Sequence, residues 1–178
     1  MNKYCKAFLF ILFPFLLNAF VGCGRLMVFD NSNKTVDARM EQLLLIVANK
    51  DENALKEMFS TQALADTSSF DDGMKYLFDL IEGNVLSWKQ ERYSSDGLRM
   101  DGKEYQKLFV WYTVVTDKGE YLLFTSDYII NTICPDNVGL YTLRAIEKIG
   151  DEVSFDVDWD DLEIPGIYTP DHYLERGY

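Results

Sequence analysis

The sequence predicts an α+β fold in which three helices precede an antiparallel sheet of four or more strands. Apolar residues recur at helical spacing as far as Glu82, whereas runs rich in β-branched and aromatic residues follow from Asn84 onward. No helical pattern separates the later runs, so we expect consecutive strands to be joined by turns and to pair antiparallel. The longest of these patterns, Glu104 to Asn131, is a hairpin around which the other elements are arranged.

Length and composition indicate one domain behind a removable leader. The chain has 178 residues, of which 48% are hydrophobic and 15% aromatic, and this is enough for one packed core. The formal charge is −12, and such an acidic surface repels phosphate backbones and anionic lipid headgroups. We therefore expect no nucleic-acid partner, and we expect contact with a membrane only through a covalent anchor.

Residues 1–22 are predicted to be a secretory signal peptide, which is absent from the mature protein. Lys3 and Lys6 precede an apolar run, Ala7 to Leu17, that is too short to cross a bilayer comfortably. The leader contains no acidic residue, so its removal makes the remaining chain more acidic still.

The segment Phe20-Val21-Gly22-Cys23 resembles a bacterial lipobox, although Phe20 stands where an aliphatic residue is usual. The resemblance implies that Cys23 becomes the first mature residue and carries a lipid, which would hold the protein on the extracytoplasmic side of a bacterial cell membrane. An uncleaved anchor and ordinary secretion are the alternatives. Residues 23–35 would then be a flexible tether that reaches about 20 Å, residues 36–168 the domain, and residues 169–178 a C-terminal tail.

The helical half begins with a predicted helix over Val36–Ala48. Its inward stripe is Met40, Leu43, Leu44 and Val47. Asp51 is a suitable N-cap for a second, short helix, and Ser60–Ser69 is predicted to be a loop or a further turn. A third helix is predicted over Phe70–Glu82, with Gly83 as its C-cap. We interpret the apolar stripes of these helices as core.

The sheet half begins with a predicted strand over Asn84–Tyr93, which Ser94–Gly97 would turn. The central hairpin is predicted to turn at Asp117–Gly119, where its glycine can take a positive φ. A fourth strand is predicted over Val138–Ile149. Because apolar residues occupy both faces of the hairpin, we expect both faces to be covered, either by the C-terminal segment or by another copy of the chain.

Two stretches, MEQLLLIVANKDENALKEMFS (40–60) and LYTLRAIEKIG (140–150), together with the order of the elements, resemble the nuclear-transport-factor-2-like, cystatin-related fold. Within that superfamily the chain is similar to a group of bacterial lipoproteins that carry a domain of unknown function and end in a segment like Pro165-Gly166-Ile167-Tyr168. The resemblance implies a bent sheet wrapped over helices, with a cone-shaped cavity that relatives use for small ligands, catalysis or dimer contacts. The fold alone does not choose among these uses.

An acidic stretch, Asp151 to Glu163, partly matches a calcium-binding loop through the spacing of Asp156, Asp158 and Asp160. The match fails because Asp161 stands where the loop needs glycine and Ile167 where it needs a bidentate glutamate. A strand with the acids on its outer side is the alternative. We therefore predict no metal and no other cofactor.

Asp127 is the candidate catalytic base, since it interrupts an apolar strand and could act with the phenol of Tyr112 inside a cone. The alternative is an aspartate that faces solvent on the polar side of its strand. His172 is the only histidine of the chain, which excludes a metal site built from several histidines, and we interpret it as a surface residue of the tail. Cys134 has no basic neighbour in sequence and is not predicted to be a nucleophile.

Three functions fit these observations. The first is a non-catalytic, lipid-anchored binding or interaction module for an unknown small ligand or protein, with pocket-lining aromatic residues at Trp88, Trp111 and Tyr112. The second is a small enzyme of the isomerase or cyclase type with Asp127 as its base. The third is a structural or assembly factor that works as a homodimer.

Overall fold

The computed structural model describes residues 28–148, 150 and 164–169, with side chains from residue 34 onward. Four helices precede five strands in the described chain, so the α+β class and the order of its two halves are confirmed. The chain divides into two units, residues 1–41 and 42–178, and the boundary falls inside the first helix. The helices are α1 (Val28–Asn49), α2 (Glu52–Met58), α3 (Thr61–Asp66) and α4 (Phe70–Leu80).

Helix α1 begins at Val28, eight residues before the predicted start, and therefore includes residues that we expected in the flexible tether. Leu43, Leu44 and Val47 of its predicted stripe are buried. Helix α4 begins at Phe70, as predicted, and ends two residues before Glu82. The sequence pattern therefore locates the buried stripes of the helices more accurately than it locates their ends.

Side-chain caps separate the short helices. The Asp51 Oδ1 atom accepts a hydrogen bond from the backbone N–H of Ala54 at 3.0 Å, which confirms the predicted N-cap of α2. The Ser60 hydroxyl accepts one from the N–H of Ala63 at 3.0 Å, and this cap begins α3 in the segment predicted as a loop or a further turn. Ser60 also donates its backbone N–H to the Leu140 carbonyl at 2.8 Å, so the same residue joins α3 to the sheet.

The five strands form one sheet in the order β1-β2-β3-β4-β5. They are β1 (Val85–Met100), β2 (Lys103–Thr116), β3 (Glu120–Asn131), β4 (Gly139–Glu147) and β5 (Gly166–Tyr168). The first four strands pair antiparallel, and β5 pairs parallel to β4. The predicted strand over Val138–Ile149 is confirmed as β4, whereas β5 was not predicted as a strand.

The predicted turn at Ser94–Gly97 is wrong. These residues continue β1, and the chain reverses at Asp101 and Gly102, whose φ angles are 52° and 76°. Two consecutive positive φ angles are the signature of a two-residue type I′ turn, whose twist matches that of the flanking strands. The first hairpin therefore extends much further than the turn-forming residues at Ser94–Gly97 suggested.

The turn of the second hairpin lies where it was predicted, but Gly119 is not among the glycines with a positive φ. The Thr116 hydroxyl instead holds the turn, because it accepts hydrogen bonds from the N–H groups of Lys118 at 3.0 Å and Gly119 at 3.1 Å. The Thr116 N–H also donates to the Gly119 carbonyl at 2.9 Å. These hydrogen bonds to the Thr116 side chain stabilise the turn, which we expected to depend on a positive φ at Gly119.

The central strands are buried on both faces, as predicted. We call one face the Leu108 face, since it carries Leu108, Val110 and Val114, and these residues are at most 2% exposed. The opposite face is the Trp111 face, where Phe109, Trp111 and Phe124 form a buried cluster. Helices α3 and α4 pack against β4 and β5.

Candidate functional site

The sheet separates the three aromatic residues that we expected to line one pocket. Trp88 and Tyr112 lie on the Leu108 face with their ring centroids 5.9 Å apart. Trp111 lies on the opposite face, where its ring centroid is 4.8 Å from that of Phe124. The prediction of a single pocket lined by all three is therefore wrong, because Trp111 and Tyr112 are adjacent in a strand and must point to opposite sides.

Asp127 is 6% exposed, so the alternative in which it faces solvent is wrong. Its place in the register is opposite Leu108, on the Leu108 face, whereas Tyr112 lies opposite Leu123. Leu108 and Tyr112 are separated by four residues along β2, which corresponds to about 13 Å. The structure therefore buries the candidate base without bringing it to the phenol with which it was expected to act.

The Trp111 face holds buried cations among aromatic rings. The Lys107 ammonium lies 5.2 Å from the ring centroid of Phe109, 4.9 Å from that of Tyr128 and 5.0 Å from that of Tyr141. This side chain is 3% exposed. Attraction between a cation and the faces of aromatic rings is strengthened where water is excluded. Lys107 thus has a structural role in the sheet.

A second buried cation, Arg144, is 1% exposed and lies 4.0 Å from the ring centroid of Tyr168. This stacking connects β4 to β5, which are paired over only three residues. We did not predict roles for Lys107 or Arg144, although each is a basic residue within an otherwise apolar strand. That interruption is the one signal in the sequence that could have identified them.

An open cleft of about 520 Å³ lies between α2 and α4. Its wall contains Lys56 and Asp71, which form an ion pair at 2.8 Å. The hydrogen bond from Lys56 to the Asp71 carboxylate raises the pKa of that lysine. The remaining lining residues are Lys50, Glu52, Asp72, Met74, Lys75, Phe78 and Asp79. Charges of both signs line this cleft, so much of its field cancels locally.

Among the strands that the structure describes, β1 is a terminal strand of the sheet, and it pairs with β2 along its length. Its register shifts between Gln90 and Arg92 and is then unbroken from Arg92 to Met100. We call the outward hydrogen-bonding edge of Arg92–Met100 the β1 edge. Leu98 is 44% exposed and Met100 60% exposed on this segment. A long strand edge with exposed apolar side chains is a template for a further strand.

Some of the predicted sites lie outside the described residues. These are Cys23, His172 and the three aspartates Asp156, Asp158 and Asp160. Within the described part of the chain, no group of three or more histidine, cysteine or acidic residues is arranged to hold a metal ion. Cys134 is an exposed free thiol. None of the helices within residues 28–148 combines the length and the hydropathy of a membrane-spanning segment.

Comparison with known proteins identifies the family. No curated protein sequence matches the chain. The sequence model of a family described as "Domain of unknown function (DUF5104)" matches residues 42–148. The matched range begins in α1 and ends directly after β4, so it contains the other three helices and the antiparallel part of the sheet. The chain therefore belongs to the DUF5104 family of domains of unknown function.

Proposed function

We propose that this protein is a non-catalytic interaction module that binds its partner through the β1 edge. A lipid on Cys23 holds it on the extracytoplasmic side of a bacterial cell membrane. The observation that carries the proposal is the unbroken register of Arg92–Met100 in a terminal strand. An extended segment that adds to such an edge gains main-chain hydrogen bonds along its length. Exposed side chains such as Leu98 then give the contact its specificity.

The lipid anchor is supported by the sequence Phe20-Val21-Gly22-Cys23 and by the charge of the chain. A formal charge of −12 disfavours direct adsorption to anionic headgroups. Two or three acyl chains overcome this, since each buried methylene contributes about 0.8 kcal/mol. In the same proposal, the order of helices before an antiparallel sheet supports a nuclear-transport-factor-2-like cone as the specific fold.

A small enzyme of the isomerase or cyclase type is the second candidate, and the burial of Asp127 favours it. A buried carboxylate is a common form of general base. The distance along the sheet to Tyr112 weighs against this candidate, because the predicted donor is too far away along β2. Retention of a carbonyl-containing small molecule by the purified wild-type protein, and its loss in Asp127→Asn, would favour the enzyme over the interaction module.

The experiment that tests the proposal places a photo-crosslinking amino acid at Leu98 in cells that express the full chain. The matched control places the same amino acid at Ala65, an exposed residue of α3, which packs against β4 and β5 instead of β1. We expect one discrete crosslinked product from position 98 and none from position 65. Equal crosslinking from both positions, or none from position 98, would refute the role of the β1 edge.

The anchor is tested separately with Cys23→Ser. We expect the wild-type protein to sediment with membranes and to incorporate labelled palmitate, and we expect the variant to do neither. Membrane retention that is unchanged in the variant would rule out lipidation at this residue without affecting the result at Leu98.

A further inference from the structure

We propose that the partner of the β1 edge is a second copy of this chain, paired antiparallel about Ser94. This inference rests on the proposed function, in which the edge is the binding surface, and adds the identity of the partner and the register. The product would be one continuous sheet formed by two copies, joined strand to strand rather than face to face.

The available length of edge is the first argument. From Arg92 to Met100 the strand is paired without a shift, and this segment corresponds to about 30 Å of extended chain. Native strand edges are protected by proline, by bulges, by shortness or by charged side chains. This segment contains no proline, and its bulge lies before it, between Gln90 and Arg92. The segment therefore lacks the first three of these protections, and its charged side chains, Arg92, Asp96 and Arg99, are of both signs.

Charge is the second argument, and it favours a second copy at this edge over contact elsewhere on the surface. The chain as a whole carries a formal charge of −12, so two copies repel each other across most of their surfaces. Strand β1 differs, because its basic residues outnumber its acidic ones. The basic residues are Lys89, Arg92 and Arg99, and the acidic ones are Glu91 and Asp96. Two acidic copies therefore repel each other less at this strand than the formal charge of the whole chain would suggest.

The register follows from the positions of two charges. Arg92 lies opposite Trp111 and Asp96 opposite Lys107 in the pairing with β2, so both project from the Trp111 face. Residues directly opposed in an antiparallel pair share a face. If Ser94 lies opposite Ser94 of the second copy, Arg92 lies opposite Asp96 of that copy, and two-fold symmetry makes this ion pair twice.

Neighbouring registers lack this match. A pairing centred on Asp96 sets like charges directly opposite each other, which is destabilising. A pairing centred on Ser95 sets Arg92 opposite Leu98 and leaves Asp96 opposite Ser94. The charge pattern of the strand therefore selects the pairing centred on Ser94. Anchoring both copies in one membrane raises their effective concentration, so an interface of modest area is sufficient.

The test uses the full chain in membranes, with Cys134→Ser as the background because Cys134 is an exposed thiol. Ser94→Cys is added, and the membranes are treated with a mild oxidant. Opposed residues in an antiparallel pair lie within the Cα separation that a disulfide requires. We expect a disulfide-linked species of twice the chain mass from Ser94→Cys, and none from the background alone or from Ala65→Cys.

Charge reversal tests the register independently. Either Arg92→Glu or Asp96→Arg alone sets like charges opposite each other twice, and we expect the yield of the Ser94→Cys dimer to fall about tenfold. Combining both reversals in one chain should restore the yield. Each single variant also disturbs a contact within its own chain. Arg92 lies over the Trp111 ring, and Asp96 accepts a hydrogen bond from the Tyr105 hydroxyl. The double variant lacks both of these contacts, so a restored dimer yield in it reports the contact between copies.

The outcomes separate this inference from the proposed function. Absence of the Ser94→Cys dimer, together with a photoproduct at Leu98 whose mass differs from two chains, would overturn the second copy but leave the β1 edge as a binding surface. Absence of both products would overturn the inference and the proposed function together. A dimer whose yield does not respond to charge reversal would overturn the register.

Discussion

At the scale of single residues, Gly73 shows how closely α4 packs on β5. A Cβ atom at this position would clash with the carbonyl oxygen of Ile167 and would lie 2.8 Å from its Cβ atom. Alanine usually stabilises a helix relative to glycine by about 0.5–1 kcal/mol. We predict the opposite sign for Gly73→Ala, a loss of about 1–3 kcal/mol in the free energy of unfolding, because backbone must move to admit the methyl group.

Urea denaturation of the purified protein measures this effect, with Lys75→Ala on the same helix as the control. Lys75 is exposed, so its replacement should change the free energy of unfolding by less than about 0.5 kcal/mol. A Gly73→Ala variant that is as stable as the wild type or more stable would show that α4 and β5 are less closely packed than described.

Asp117 gives a prediction about pH. Its carboxylate accepts hydrogen bonds from the Asn84 backbone N–H at 2.9 Å and from the Asn84 side-chain amide at 3.0 Å. These bonds hold the pKa of Asp117 below its ordinary value of 3.8, and the side-chain bond has the larger effect of the two. A lowered pKa in the folded state means that this group stabilises the fold above its unfolded pKa, and that the contribution is lost as the pH falls through the folded pKa.

We therefore predict that Asp117→Ala is less stable than the wild type at neutral pH, and that the difference shrinks below pH 3.8. Asn84→Ala should show a smaller loss with the same direction of pH dependence, because it removes the side-chain amide donor to Asp117 and keeps the backbone N–H donor. Chemical denaturation at a series of pH values measures both variants. A difference that stays constant as the pH is lowered well below that value would show that the charge of Asp117 is not involved.

At the scale of elements, the turn between β1 and β2 determines how long the β1 edge is. Gly102 has a φ of 76° and nothing within 4 Å of the position that a Cβ atom would take. The cost of Gly102→Val is therefore conformational, and we predict a loss of about 1–2 kcal/mol in the free energy of unfolding. Asp101→Asn is the control, because Asn-Gly is the favoured pair for this turn and should be neutral or slightly stabilising.

Thermal or urea denaturation distinguishes the two variants. If Asp101→Asn is as harmful as Gly102→Val, or if neither changes stability, the hairpin does not turn at these residues. Crosslinking at Ser94 should also weaken in Gly102→Val, since a frayed hairpin presents a less regular edge.

The sequence was most informative where one physical signal dominated. The aspartate before α2 has a single favoured role, so Asp51 was predicted as an N-cap and is one. Ser94–Gly97 contains residues that favour turns, yet their pairing with Phe109 to Gln106 across the hairpin outweighs that local preference. Strand β5 could not be predicted by periodicity, because it contains only three residues and depends on pairing with β4.

The candidate site was less predictable than the fold. Burial of Asp127 and the stacking of Lys107 among three rings depend on which strands become neighbours, and sequence spacing within one strand does not specify this. The β1 edge was not predictable for the same reason, because it depends on the order of the strands in the sheet. Alternation along β2 does predict that Trp111 and Tyr112 face opposite sides of the sheet. The sequence alone therefore excludes one pocket lined by both residues.

At the scale of the whole molecule, we propose an acidic domain that is tied to a membrane and paired with a second copy along one strand. Both features act together, because anchoring in two dimensions favours a contact that would be weak in solution. We predict that Cys23→Ser, which releases the domain, lowers the yield of the Ser94→Cys dimer at equal total protein. Crosslinking of membrane and soluble fractions measures this, and an equal yield in the two fractions would show that the anchor does not contribute to pairing.

Native mass spectrometry of the wild-type protein extracted from membranes reports both the processing of the chain and its assembly in one spectrum. We expect a chain that begins at Cys23, carries the added mass of acyl groups and occurs as a species of two copies. A single copy that retains residues 1–22 or carries an unmodified Cys23 would contradict this expectation.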